Sequence, residues 1–282
     1  MTQVPISPDI VGIEIDPVAS EWVQKDCQLY AVGVGAKPEG ELEFIFEGKG
    51  PKVIPSFGVV PGFAGMIGIM SKVEVNPAMI LHGEQAVTQH RPIPPNAKVE
   101  TTGSIVECWD KGKAAVIVVE CTSADSDGPI VTNRSSIFVR GAGDFGGESG
   151  PSTKGKNTPP DREPDHVWSD VTRAEQAAIY RLSGDYNPLH IDPDFAKMAG
   201  FERPFLHGLC TYGFTCRGIV ATVCGGDPDK FGMLEARFAD QVWPEDTVVV
   251  KLWDTGPGEA IVQAENQNGG VVLSQARTTF TD

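Results

Sequence analysis

The stretch HGLCTYGFTCRGIVATV, His207 to Val223, decides the fold. It is long and mostly apolar, so it reads as a helix from about His207 to Val223. Four β-rich runs follow it, predicted over Leu234 to Phe238, Thr247 to Trp253, Ala260 to Gln267 and Val271 to Phe280, with GPG and NGG turns between the last ones. One long helix followed by a run of hairpin-linked strands means α+β, with an antiparallel sheet wrapped around a single helix. Upstream, Thr172 and Glu175 have the spacing of a capping box, which predicts a helix running to Ser183-Gly184. Asp192-Pro193 starts a short helix that Gly200 ends.

This arrangement occurs twice. LYAVG at Leu29 is echoed by IYRLSG at Ile179, and PSFG at Pro55 by PFLHG at Pro204. RPIPPNAKVE around Pro94 is echoed by DQVWPEDTVV around Pro244, and Trp109-Asp110 by Trp253-Asp254. The order is kept at an offset near 150 residues, which implies two copies of one unit. The expected division is residues 1–139, a linker at 140–165 rich in Gly, Pro and charge, and residues 166–282. Two sheet-on-helix units in tandem make a double hot-dog. GAGDFGG in the linker has the look of a nucleotide loop, but no apolar helix follows it. Pro61, inside the first copy of the long helix, is expected to break that helix and make room beside it.

Composition narrows the function. The net charge of −15 and the lack of a basic cluster argue against a nucleic-acid partner. No apolar run reaches membrane-spanning length and the first residues resemble no secretory signal, so no membrane partner is expected. None of the six cysteines forms a CxxC pair; they read as reduced, buried thiols of a cytoplasmic protein.

The chemistry concentrates in YRLSGDYNPLHID, Tyr180 to Asp192. Asp185 and His190, five residues apart across a proline bend, can converge on one water, with Asn187 between them to orient it. Gly208, opening the long helix, presents a backbone N–H to an oxyanion such as a thioester enolate. Together these suit hydration of a double bond conjugated to a carbonyl. Against this stand plainer readings. Asp185 and Asn187 can form Asx-turns, Asp192 can be a helix cap, and His190 can be a core histidine. Asp185, His190 and Asp192 as metal ligands lack a further donor nearby, so no metal is expected.

The segment YRLSGDYNPLHIDPDFAKMAGFERPFLHGLCTYG resembles the hydratase 2 motif of the MaoC-like hydratases, and the likeness extends over nearly the whole chain, through LYAVGVGA, LHGEQ, WDKGK, GDFGG and EARFADQVWPED. The resemblance implies a double hot-dog that adds water to a trans-2-enoyl-CoA, giving the (3R)-hydroxyacyl-CoA without a cofactor. It implies that Asp185 and His190 activate the water, that Asn187 positions it, and that Gly208 binds the thioester oxygen. It also implies acyl-CoA contacts at His82, Gly83, Lys111 and Phe238. Lys111 makes independent sense as a local cation for a phosphate on an acidic protein. The first copy carries no Asp-x-Asn-Pro-x-His after Gly33, so one active site per chain is expected, with the first copy non-catalytic and accommodating the acyl chain. The other readings are a hot-dog thioesterase, a non-catalytic acyl-CoA binder, and the same site run in reverse as a dehydratase. Hot-dog proteins often pair, which leaves room for a homodimer, although two copies in one chain already supply one such pair.

Overall fold

A computed structural model describes residues 3–281. In chain order the elements are β1 (Val18–Trp22), α1 (Gln24–Gly33), α2 (Leu42–Ile45), α3 (Val59–Met70), β2 (Ile80–Gln89), β3 (Ala97–Asp110), β4 (Ala114–Asp125) and β5 (Gly128–Arg140). Then follow β6 (His166–Val171), α4 (Gln176–Tyr180), α5 (Pro193–Met198), α6 (Gly208–Thr222), β7 (Phe231–Phe238), β8 (Thr247–Gly256), β9 (Glu259–Asn266) and β10 (Val271–Phe280). The five strands of the first copy are ordered β1-β3-β4-β5-β2 and those of the second β6-β8-β9-β10-β7. Position for position this is one topology used twice: first strand, third, fourth, fifth, second. The duplication read from four short echoes is thus a duplication of strand order, and the fold is the α+β double hot-dog.

The chain condenses into two compact units that do not follow the linear division at 139 and 166. One comprises the residues before Trp22, Gly58–Arg91 and Lys98–Lys156. The other comprises Trp22–Phe57, Pro92–Ala97 and everything from Asn157 on. In the first, α3 lies on β4 and β5, and Met66, Ile69 and Met70 meet Ile105, Ile117, Val119 and Ile137 in the core. Pro61 does not break α3. It sits in the first turn, where the backbone N–H has no intrahelical acceptor to lose, so the ring is tolerated. Nor do the glycines of α3 leave space: a Cβ on Gly62 would lie 2.3 Å from the Asn133 amide nitrogen, and one on Gly65 2.9 Å from the Cys121 sulfur. They let the helix lie close on its sheet instead.

In the second unit α6 packs on β6, β7, β8 and β10, and every residue from Leu209 to Val220 is buried. The predicted strands appear within a few residues of their expected ends, while β6 was not legible beforehand. Thr172 is not a helix cap. Its hydroxyl donates to the carbonyls of Trp243 and Asp246, and α4 begins only at Gln176. Gln176 is drawn elsewhere as well, since its side-chain amide donates to the carbonyls of Val32 and Gly33 and so binds α4 to α1. This explains why α1, from the first copy, belongs to the second unit.

Arg217, on α6, is the one charge in the middle of the buried helix. Its guanidinium donates to both carboxylate oxygens of Glu41, at 2.9 and 2.6 Å, to Asp170 at 3.0 Å and to the Val34 carbonyl at 2.9 Å. Lys37 completes the cluster with an ion pair to Asp170 at 2.7 Å. If Arg217 were removed, Glu41 would be left as a largely covered anion without its cation, and Asp170 would keep only Lys37. Breaking a buried pair from one side costs on the order of 3–5 kcal/mol. Arg217→Ala is therefore expected to lower stability by about that amount in urea unfolding; a change under about 1 kcal/mol would mean that the cluster is solvated and structurally idle.

Candidate active site

The bend between α4 and α5 is built from short-range hydrogen bonds. The Asp185 carboxylate accepts from the Asn187 N–H at 3.2 Å, and the Asn187 side-chain oxygen accepts from the Leu189 N–H at 3.0 Å. Asp192 caps α5 by accepting from the N–H groups of Asp194 and Phe195. The plainer readings of these residues are therefore true of part of each side chain. What they leave over matters: the second carboxylate oxygen of Asp185, and the side-chain NH2 of Asn187 on an exposed residue.

His190 is buried, and its Nδ1–H donates to the Phe205 carbonyl at 2.9 Å. A carbonyl can only accept, so the tautomer is set and Nε2 carries the lone pair. Burial pulls the His190 pKa below its ordinary value of 6.5, with the Phe205 hydrogen bond and the Asp185 charge acting the other way. The ring is therefore a neutral base at pH 7. A third group joins these two. The Nε2–H of His207 donates to the Asp185 backbone carbonyl at 3.1 Å, and its ring lies against that of His190 with centroids 4.0 Å apart. Burial, with the neighbouring His190 adding to it, pushes His207 down to about 3, so it too is neutral. One donor atom from each of Asp185, His190 and His207 lies within 4.8 Å of the other two. Spacing along the sequence assigns His207 only to the opening of the helix and gives Asp185, His190 and Asp192 no further donor nearby. The signal was present in the tripeptide Leu-His-Gly, which occurs at both Leu81 and Leu206.

His207 is also the N-cap of α6. Gly208, the first residue of the helix, is exposed while the turns behind it are buried, and its N–H is one of the donors that have no acceptor within a helix. The Phe238 ring stands close on one side: a Cβ on Gly208 would lie 3.0 Å from it. Asp185, His190, Gly208 and Phe238 are thus assembled in the second unit, with Asn187 on the same bend. The remaining candidates belong to the first unit. His82 and Gly83 sit at a β-bulge of β2 opposite Ile137 and Ser136. Burial lowers the His82 pKa to about 4, against hydrogen bonds with Gln85 and Glu84. Lys111, in the β3–β4 turn, donates its ammonium to the Ser149 carbonyl. Beside it the GAGDFGG loop binds an anion, but an internal one. The Asp110 carboxylate accepts from the N–H groups of Gly112, Asp144 and Gly146. These bonds hold the Asp110 carboxyl below the usual range although partial burial opposes it.

Residues 21–141 match the model described as the MFE-2 hydratase 2 N-terminal domain, and residues 156–276 the MaoC like domain. A protein of Dictyostelium discoideum named probable enoyl-CoA hydratase 2 is 38% identical over 274 residues, covering 94% of this chain and 93% of that protein. The chain belongs to the MaoC-like hydratase 2 family. Peroxisomal multifunctional enzyme type 2 of Mus musculus is likewise 38% identical, over 94% of this chain but only 37% of its own length. The crystal structure of a MaoC-like dehydratase from Phytophthora capsici superposes with a TM-score of 0.88 at 32% identity, covering 98% of each chain.

The depression of the His207 and His82 imidazoles has a consequence for stability. The unfolded chain takes up protons on His207 and His82 as the pH falls below 6.5, whereas the folded chain resists until about 3 and 4. Their contribution is complete above pH 6.5 and is lost progressively below it. His207→Gln is expected to shrink the drop in urea midpoint between pH 7.5 and pH 5 relative to the parent chain. An equal or larger drop in the variant would contradict the burial of a neutral ring.

Proposed function

We propose that the chain hydrates trans-2-enoyl-CoA thioesters to (3R)-3-hydroxyacyl-CoA in fatty-acid or sterol side-chain breakdown. The observation that carries this reading is the convergence of the Asp185 carboxylate and the neutral His190 ring beside the amide that opens α6. The carboxylate and Nε2 grip one water. Its oxygen bonds to C3 of the enoyl group, and a proton passes through the dyad to C2, so the double bond is consumed with no other reactant and no cofactor. Negative charge gathers on the thioester oxygen as C3 is attacked, and the Gly208 N–H, at the positive end of a 15-residue helix, meets it there. His207 holds the Asp185 main chain and lies against the His190 ring, so it positions both. Microscopic reversibility lets the same groups remove water, which agrees with relatives named for either direction.

In this reading residues 166–282 supply the catalytic groups, residues 1–139 form the non-catalytic copy that accommodates the acyl chain, and 140–165 connect them. His82, Gly83 and Lys111 are assigned to the acyl-CoA. A homodimer remains compatible with this reading. The six cysteines are free and buried, with burial holding Cys27, Cys121, Cys216 and Cys224 at about 12, so they are inert thiols suited to a reducing compartment such as the cytoplasm. Among the described residues no helix is long and apolar enough to cross a membrane.

Loss of ultraviolet absorbance from the conjugated thioester, with no release of CoA thiol, is the expected signature. Release of thiol would point to a thioesterase, and binding with unchanged absorbance to a carrier. Asp185→Asn and His190→Ala should each lower kcat by about 10²–10⁴-fold with the circular dichroism unchanged. A variant within threefold of the parent would remove that residue from the mechanism. Since burial lowers the His190 pKa from 6.5, kcat/KM should fall on the acid side as the ring is protonated, with the midpoint of that fall below 6.5. An acid-side midpoint above 6.5 would contradict His190 as the buried neutral base.

A further inference from the structure

We propose that Asp185, His190 and His207 also bind one divalent transition-metal ion of the zinc type, and that the bound ion shuts off the hydration assigned above. The inhibitory half rests on the hydratase reading; the binding half does not.

The donor set is two imidazoles and a carboxylate, a combination zinc accepts with its remaining positions open to water. One donor atom from each residue lies within 4.8 Å of the others. Zinc sits about 2.0–2.2 Å from such donors, so loading requires the set to close inward. That is within the reach of side-chain rotation at Asp185, which is only half buried.

Both rings are prepared as ligands. Each donates its N–H to a main-chain carbonyl, His190 to Phe205 and His207 to Asp185. The opposite nitrogen of each ring is left as a lone pair, which is how ligating imidazoles are oriented from behind in metal sites. On His207, a residue 1% exposed, Nδ1 has no hydrogen-bond partner among the described residues. An acceptor buried without a partner is costly, and coordination would relieve that cost. The net charge of −15 adds a long-range attraction for cations.

The ion would occupy the place where the dyad grips water. Asp185 and the His190 lone pair cannot coordinate metal and take a proton at the same time, so occupancy and hydration exclude each other.

The test uses the full chain stripped with a chelator. Co²⁺ is titrated in as a spectroscopic probe, followed by its visible d–d absorption and by the paramagnetic shifts of histidine ring protons. One Co²⁺ per chain is expected, displaced by Zn²⁺, with two of the five histidines shifted. His190→Ala and His207→Ala should each weaken binding at least tenfold; the ring-proton shifts decide the matter if a variant fails to fold. Enoyl-CoA hydration should decline over the same Co²⁺ range and return with chelator. Binding that is unaffected in both variants, shifts confined to other histidines, or no stoichiometric absorption would each overturn the site. A stripped chain that hydrates and ignores Zn²⁺ refutes the proposal and leaves the hydratase reading standing. A stripped chain that binds Co²⁺ at these residues but never hydrates overturns the hydratase reading, and with it the inhibitory half, while the metal site survives.

Discussion

Burial of α6 is the constraint on which the rest depends. A helix covered on every side can touch solvent only at its ends, and here the residues from Leu209 to Val220 are covered without interruption. Close approach from several directions is achieved with small residues. A Cβ on Gly213 would lie 2.3 Å from the Val34 side chain, and one on Gly218 2.9 Å from Trp168. The helix dipole therefore has one uncovered positive end, at Gly208, and water is excluded from most of the path behind it. A preorganised donor of this kind costs no rearrangement when charge develops near it. The same burial forces a solution for Arg217, whose charge is met by Glu41, Asp170 and the Val34 carbonyl. The packing requirement and the electrostatic one thus meet on a single helix, with the cation held well inside and the amide kept at the tip.

The bend that faces this tip shows how little separates a structural turn from a reactive one. Asp185 and Asn187 each spend one oxygen on a backbone N–H two residues ahead, the ordinary Asx habit. A carboxylate and a carboxamide have more than one polar atom, so the turn fixes the side chain and leaves the remainder pointed and unspent. His190 follows the same rule with one nitrogen on Phe205. Rigidity and reactivity are not alternatives here, because the first hydrogen bond of each group is what aims its second.

Much of this was legible in the sequence because it is local. The α6 helix, the cap at Asp192 with Pro193 behind it, and the four C-terminal strands follow from periodicity and turn chemistry within a dozen residues. The Asp185–His190 pairing spans five residues and needed only a bend. What failed depended on partners far along the chain. Thr172 has every local mark of a cap, but its hydroxyl is taken by carbonyls more than seventy residues away. Pro61 looked like a break because its place within α3 depends on where the helix begins, and that is set by packing on β4 and β5. β6 was missed because its register with β8, from His166↔Leu252 to Val171↔Thr247, is what makes it a strand. His207 was seen as a helix opener, and its contact with Asp185 crosses twenty-two residues.

The asymmetry between the two copies has the same origin. Leu-His-Gly occurs once in each copy but at non-equivalent places: on a strand bulge of β2 in the first, and at the start of α6 in the second, where the first copy has Ser56-Phe57-Gly58 before α3. On the bulge, glycine lets the strand gain a residue, and its neighbouring histidine is engaged by Gln85 and Glu84. At the helix start, glycine opens the tip, and its histidine reaches back to the carboxylate-bearing bend. The first copy has no Asp-x-Asn-Pro-x-His bend for such a histidine to reach. A duplicated unit can therefore keep its topology and its Trp-Asp corner while concentrating the proton chemistry in one place. The fold asks only that the sheet find a helix to wrap, whereas the chemistry asks that one bend meet one helix end.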